Sequence, residues 1–249
     1  MKVRAIIIAA GVAASLSALS LPAHAYPVKG APELTHNELY KQPKTPKVSC
    51  KVTKGRTKSS TKKYVTKVVD CLNKAWAKTT KEFTPATVEI TYDAGRGGYC
   101  LTGQKIAESF ATACMRGIQV QLKNDWIKAK DDTAILIELT RAYGGFLQNL
   151  KGISEAYWAL PHNQEGDELE EQTHRFYLQA DCLGGVSMRS LGRTAKNWKP
   201  LLDAESPKEL KRFRWHGKPA NRLYWFTQGY TKARPGACNT WKAPSPKVA

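Results

Sequence analysis

The sequence predicts an α+β fold, mainly helical with a small β-sheet and stabilised by disulfides. Three features lead there. Apolar residues recur at helical spacing in several long segments, one short run alternates apolar and polar residues, and six cysteines follow an N-terminal segment that reads as an export leader.

The leader comes first. Lys2 and Arg4 make a positive start, residues 5–21 are apolar, and Ala23-His24-Ala25 supplies the small-x-small pattern of a cleavage site. Residues 1–25 are therefore expected to be a signal peptide, with the mature chain starting at Tyr26. Ser15, Ser17, Ser20 and Pro22 argue against a retained membrane anchor, and no later stretch is apolar for long enough to span a bilayer. The expected location is secreted, either extracellular or associated with the cell wall. All six cysteines (Cys50, Cys71, Cys100, Cys114, Cys182 and Cys238) lie beyond the leader, which favours disulfides over metal or redox chemistry. Proximity in sequence suggests Cys50–Cys71 and Cys100–Cys114, leaving Cys182–Cys238.

The formal net charge is +18, and +16 without Lys2 and Arg4. Such a balance attracts polyanions such as nucleic acid or anionic wall polymers, and it also simply keeps an exported protein soluble. Residues 26–63 are rich in Pro, Lys and polar side chains, so a basic, disordered arm is expected there. Between Lys41 and Lys67 there are ten Lys or Arg and no acid. No aromatic interleaving accompanies them, which leaves specific base recognition unsupported.

The folded part is expected over 64–242, followed by a tail at 243–249. Residues 64–83 carry Val65, Val68, Val69, Leu72, Ala75 and Trp76 at helical spacing. Val88, Ile90 and Tyr92 alternate with polar residues and predict a strand over 87–92. A turn at Gly95-Arg96-Gly97-Gly98 leads to Tyr99-Cys100, and 119–122 is a candidate second strand. Residues 132–150 form an apolar helix interrupted by Gly144-Gly145, each of which costs about 1 kcal/mol against Ala in a helix interior. Close packing is one reason for such a pair. Five acids in seven residues over 165–171 open the next helix, 171–191, and further helices are expected over 207–213 and 223–230.

Three segments carry a resemblance. They are Arg141-Ala142-Tyr143-Gly144-Gly145-Phe146-Leu147-Gln148-Asn149-Leu150, then Tyr177-Leu178-Gln179-Ala180-Asp181-Cys182-Leu183-Gly184-Gly185-Val186, and Asn221-Arg222-Leu223-Tyr224-Trp225-Phe226-Thr227-Gln228-Gly229-Tyr230. The third continues to Pro235-Gly236-Ala237-Cys238-Asn239-Thr240-Trp241. In this order and spacing they resemble the bacterial neutral zinc metallopeptidases, a zincin-like family, over roughly residues 71–241. The resemblance implies a zincin-like helical core. It also implies a helix bearing H-E-x-x-H, whose two His grip zinc while the Glu serves the attacking water, and a third ligand on a later helix.

Every one of those positions is substituted. The two His positions fall on Arg141 and Gly145, the general base on Ala142, a further His on Phe146, and the third ligand on Tyr177. Arg keeps its proton, and Ala and Gly offer no donor atom. The expectation is therefore a pseudopeptidase with an emptied cleft, no catalytic residue, no metal and no cofactor. Arg141 either stands in for lost positive charge, paired with Asp181 or another nearby acid, or points to solvent in an open cleft. His174 and Asp181 could share a helix face in a rebuilt metal site, against the commoner reading of a helical His near acids as a surface or hydrogen-bonded residue. A peptide or protein ligand in the cleft is the first functional reading, and an anionic polymer on the basic arm is the alternative. An active peptidase with a rebuilt site ranks last.

Overall fold

A computed structural model describes residues 28, 30–92, 107–161, 167–194, 198–203 and 215–249. The expected signal peptide, the 95–98 turn with Tyr99-Cys100, His162, Glu165 and the 207–213 helix fall outside them. The described residues form an α+β structure with a three-stranded sheet and a mainly helical remainder.

Three helices make the frame: α4 (Thr133–Leu150), α6 (Asp167–Ser190) and α8 (Pro219–Lys232). α6 lies between the other two, and the glycines explain how closely. A Cβ on Gly144 of α4 would come 2.4 Å from the Ala180 carbonyl oxygen of α6. On the far side, a Cβ on Gly185 would sit 2.0 Å from Phe226 O, and one on Gly229 of α8 would sit 1.9 Å from Cys182 O. Close packing is thus the reason for Gly144. Its neighbour Gly145 serves another contact, because its Cβ would meet that of Ala113 at 2.8 Å.

Ala113 belongs to the sheet. β1 (Thr87–Thr91), β2 (Phe110–Cys114) and β3 (Gly117–Gln121) are ordered β1-β3-β2, with β1 parallel and β2 antiparallel to β3. β2 and β3 form a hairpin across Met115-Arg116, and β2 lies against α4, where Asn149 Nδ2 donates to Cys114 O at 3.1 Å. The 87–92 expectation matches β1 within one residue, and 119–122 becomes β3, which starts two residues earlier and ends one earlier. β2 was not anticipated, since its alternation sets Ala111 and Ala113 against Phe110, Thr112 and Cys114, a weak contrast in hydrophobicity.

α2 (Lys58–Ala77) begins and ends six residues before the expected 64–83. A capping box sets its start: the Thr57 side chain accepts from Ser60 N, and Ser60 Oγ accepts from Thr57 N. The first turns after that cap are polar and lysine-rich, so hydrophobic periodicity could not register them. Its buried face carries Tyr64, Val65, Val68, Val69, Leu72, Ala75 and Trp76. The shorter helices are α1 (Pro32–Thr35), α3 (Asn124–Lys128), α5 (Ile153–Trp158) and α7 (Lys199–Asp203).

The expected disordered arm is corrected over its described residues. Leu34 and Leu39 are fully buried, Asn37 Nδ2 donates to Lys151 O, Thr45 N to Ala233 O and Val48 N to Ser190 O. A few apolar anchors and long-range backbone bonds tie down a segment whose average composition is polar. The expected tail is corrected likewise. Val248 is fully buried, Trp225 Nε1 donates to Lys247 O, and Asn221 Nδ2 donates to Ala249 O.

Disulfides Cys50–Cys71 and Cys182–Cys238 match the expected pairs, fastening the N-terminal strap to α2 and the turn after α8 to α6. Cys114 is also disulfide-bonded, but its expected partner Cys100 lies outside the described residues. Among the described residues no helix is long and apolar enough to cross a membrane.

Candidate functional site

Where α4, α6 and α8 meet, five charged or titratable side chains form one chain of contacts. Glu138 and Arg141 stand one turn apart on α4, with Arg141 Nη2 2.6 Å from Glu138 Oε2. Glu138 Oε1 lies 3.8 Å from Nη2 of Arg222 on α8. Arg222 Nε in turn lies 3.3 Å from both carboxylate oxygens of Asp181 on α6, and Asp181 Oδ2 accepts from His216 Nδ1 at 2.7 Å. Arg222 Nη1 also donates to Leu202 O at 3.4 Å.

Asp181 has no exposed surface. Burial alone would raise its pKa, but the Arg222 guanidinium, then His216 and Arg141, outweigh burial and hold it down to about 2. Glu138 follows the same logic: burial opposes ionisation, and Arg141 and Arg222 win, so its pKa is lowered. Burial pushes His216 below its ordinary value, with Asp181 opposing. With His216 neutral, two guanidinium and two carboxylate charges cancel. An isolated buried ion would be prohibitive, whereas a compensated chain is tolerated.

Aromatic rings adjoin this network. Tyr177 on α6 stacks on Trp215 with centroids 5.1 Å apart and meets the His216 ring at 5.4 Å. Burial pushes the Tyr177 phenol up to about 12.

The positions taken from the resemblance divide. Arg141 and Tyr177 border the same network, Arg141 through its pair with Glu138 and Tyr177 through the His216 ring. Gly145 faces β2 instead. Ala142 and Phe146 belong to the apolar core, with Phe146 edge-on to Tyr143 at 5.5 Å. Arg141 neither points freely to solvent nor pairs directly with Asp181; its partner is Glu138.

His174, which could have shared a helix face with Asp181, has Glu170 as its acidic neighbour. It is buried, with Nε2 3.7 Å from Glu170 Oε1, and the imidazole on Asp181 is His216. Two turns of α6 put His174 and Asp181 near one face, but the short segment before α8 brings the better-placed ring. Trp215-His216-Gly217 just before Asn221-Arg222 marks a ring close to α8 in sequence, but not the carboxylate it meets. Among the described residues no group of three or more His, Cys, Asp or Glu could hold a metal ion.

Several residues of the three segments join helices rather than face a ligand. Gln148 Nε2 donates to Gln179 Oε1 and to Phe176 O, both at 2.8 Å, and Gln179 Nε2 donates to Tyr40 Oη and Cys238 O. The acidic run is also partly internal: Glu171 accepts from buried Arg175 at 2.6 Å, and Arg175 Nη1 caps Thr240 O and Ala243 O.

Two surface features complete the picture. Lys58, Lys62, Lys63, Lys67, Lys74 and Lys78 are exposed along and just beyond α2, interrupted by a single acid, Asp70. On the outer face of α8, an open groove of about 940 Å³ is lined by Lys199, Pro219, Leu223, Tyr224 and Thr227, among others. Compared with known protein families, with curated proteins and with solved structures, the chain matches none.

Proposed function

We propose that this chain is an exported, non-catalytic relative of the zincin-like neutral metallopeptidases, and that it binds a peptide or protein segment at the α4–α6–α8 junction. The observation that carries this reading is the ion pair of Arg141 with Glu138. At the position where the resemblance would place a metal ligand stands a cation with its own counter-ion. A guanidinium so held supplies positive charge without an exchangeable metal and without a group able to activate water. Two disulfides accord with an exported chain, because such bonds persist in oxidising compartments.

The test pairs metal analysis of the purified chain with a broad peptide-cleavage assay and a peptide-binding assay. Binding without zinc and without cleavage supports the reading. Stoichiometric zinc with chelator-sensitive cleavage overturns it.

The lysine row on α2 favours a second reading, in which the chain binds an anionic polymer. A helix of this length lays its cations along roughly 30 Å, a spacing that suits an extended polyanion. Binding to a polyanion that collapses between low and moderate salt, and that is lost on replacing Lys62, Lys67 and Lys74 by Ala, would favour it. Salt-tolerant binding to peptides favours the first reading.

A further inference from the structure

Resting on the polyanion-binding reading, we propose that the outer face of α2, extended at both ends by lysines of other elements, is the docking surface for a phosphodiester chain that carries no bases, a polyol phosphate of the cell envelope.

This face costs the fold stability. Three pairs of lysines stand one turn apart: Lys58 with Lys62, Lys63 with Lys67, and Lys74 with Lys78. Like charges at that spacing destabilise a helix, and Lys58 in the first turn also opposes the macrodipole. Elsewhere the chain pairs such a cation, as Lys41 pairs with Glu38. Among the described residues none of these six lysines has an ion-pair partner. An external polyanion neutralises such a row.

The fold then lengthens it. Lys63, Lys67, Lys74 and Lys78 fall within about 60° of one another around the helix and span roughly 22 Å along it. Beyond Lys78, Lys151 at the end of α4 donates to Lys81 O at 2.7 Å, which sets a further ammonium beside exposed Lys81. At the other end, Lys123 Nζ donates to Tyr92 O at 2.7 Å and Lys58 Nζ lies 5.2 Å from the Tyr92 ring centroid, so both cations flank one residue. Lys123 and Lys151 are far from α2 in sequence, and only the tertiary structure brings them to the row.

The surroundings of the row select the partner. α2 carries lysine and no arginine: point charges on flexible stems, which suit phosphates spaced along a flexible chain, rather than a rigid fork. Single-stranded nucleic acid asks for rings on which bases stack. The exposed residues of α2 other than lysine are Ser59, Thr66, Asp70 and Ala77, and Tyr92 beside them is engaged by Lys58. A bilayer asks for apolar side chains that insert, and those of α2, such as Val65, Val68 and Leu72, are buried in the core. A chain of phosphates without bases makes neither demand.

The experiment measures binding of the purified chain to poly(glycerol phosphate), to oligo(dT) of equal phosphate number and to phosphatidylglycerol vesicles, at low and moderate salt. Two triple variants lose the same charge: Lys63→Gln, Lys67→Gln and Lys74→Gln on the row, and Lys199→Gln, Lys218→Gln and Lys232→Gln on the exposed surface around α7 and α8. Phosphate for phosphate, the parent is expected to bind poly(glycerol phosphate) at least as tightly as the other two probes. The row variant should bind it about tenfold weaker with a shallower salt dependence, while the control variant stays within about twofold of the parent. The row variant should melt no lower than the parent, because it loses the Lys63–Lys67 repulsion, so weaker binding reads the surface and not unfolding. A row variant that binds like the parent, or a control variant that weakens equally, overturns the proposal. Tighter binding to oligo(dT) or to vesicles overturns it in favour of nucleic acid or a membrane. Binding to none of the three probes at low salt overturns the polyanion-binding reading itself.

Discussion

Asp181 accepts a hydrogen bond from His216 Nδ1 at 2.7 Å, yet the two residues are 35 positions apart and lie on different elements. The bond fixes the imidazole as the Nδ1–H tautomer, because an ionised carboxylate only accepts. Both groups are titratable, so the contact makes stability depend on pH. Asp181 is held down to about 2 from 3.8, so its contribution is present above the unfolded value and is lost as pH falls through the folded one. The expected loss between pH 4 and pH 2 is roughly 2 kcal/mol. His216 is lowered from 6.5, so folding prefers the neutral ring and stability starts to fall as pH drops below 6.5. Urea midpoints measured from pH 7 to pH 2 should show both declines, and His216→Gln should flatten the first. A His216→Gln profile that matches the parent would exclude this role.

Removing the buried carboxylate at neutral pH tests the same network from the other side. Asp181→Asn leaves Arg222 facing a neutral amide and His216 without its charged acceptor. Breaking a buried pair in this way costs about 3–5 kcal/mol. Glu138→Gln should cost less, since Glu138 is the more exposed of the two acids and Arg222 keeps Asp181. Denaturant titration of the two variants gives the order, and a smaller loss at Asp181 would contradict it.

The glycines of the helix frame yield a sharper test. In an isolated helix, Gly→Ala gains about 1 kcal/mol. At Gly229 the added carbon would come 1.9 Å from Cys182 O, a backbone atom that cannot step aside. Gly229→Ala should therefore destabilise by about 2–3 kcal/mol or more, overpacking outweighing propensity. Thermal melts of Gly229→Ala and Gly185→Ala should both fall. A rise in either would mean that α6 and α8 separate easily.

The long helices were legible because apolar periodicity dominates them. Leu136, Leu139, Tyr143, Phe146 and Leu147 mark the buried face of α4 in the sequence as plainly as in the structure. The Arg141–Glu138 pair was half legible: the need for a counter-ion followed from burial, whereas the choice of Glu138 over Asp181 depended on how α8 inserts Arg222 between them. The His216–Asp181 contact was not legible, because nothing local to Trp215-His216-Gly217 reports which carboxylate it meets.

The N-terminal strap departs from its polar composition for a different reason, and the difference is testable. Composition counts a Leu among lysines and prolines as an exception, but Leu34 and Leu39 each fill a place in the core. Leu39→Ala should cost about 2–5 kcal/mol, the loss of a fully buried leucine, where a disordered arm would lose nothing. Chemical denaturation decides between these values directly.

The disulfides Cys50–Cys71 and Cys182–Cys238 should contribute unequally. Constraint of the unfolded chain grows with the loop closed, and the pairs span 21 residues for Cys50–Cys71 and 56 for Cys182–Cys238. On chain entropy alone both bonds are worth about 3–4 kcal/mol, the longer loop slightly more. Position widens the gap. Cys182 and Cys238 are fully buried, and the bond fixes the turn after α8 beside Gln179, which donates to Cys238 O at 3.2 Å. Cys50 lies on the partly exposed strap, so losing its bond chiefly frees the segment before α2. Replacing both cysteines of each pair by Ala should therefore lower the melting temperature more for 182/238 than for 50/71. The first should loosen hydrogen-exchange protection across α6 and α8, and the second should loosen it only before α2. Equal losses, with protection reduced throughout in both variants, would show that the strap is as much a part of the core as the helix frame.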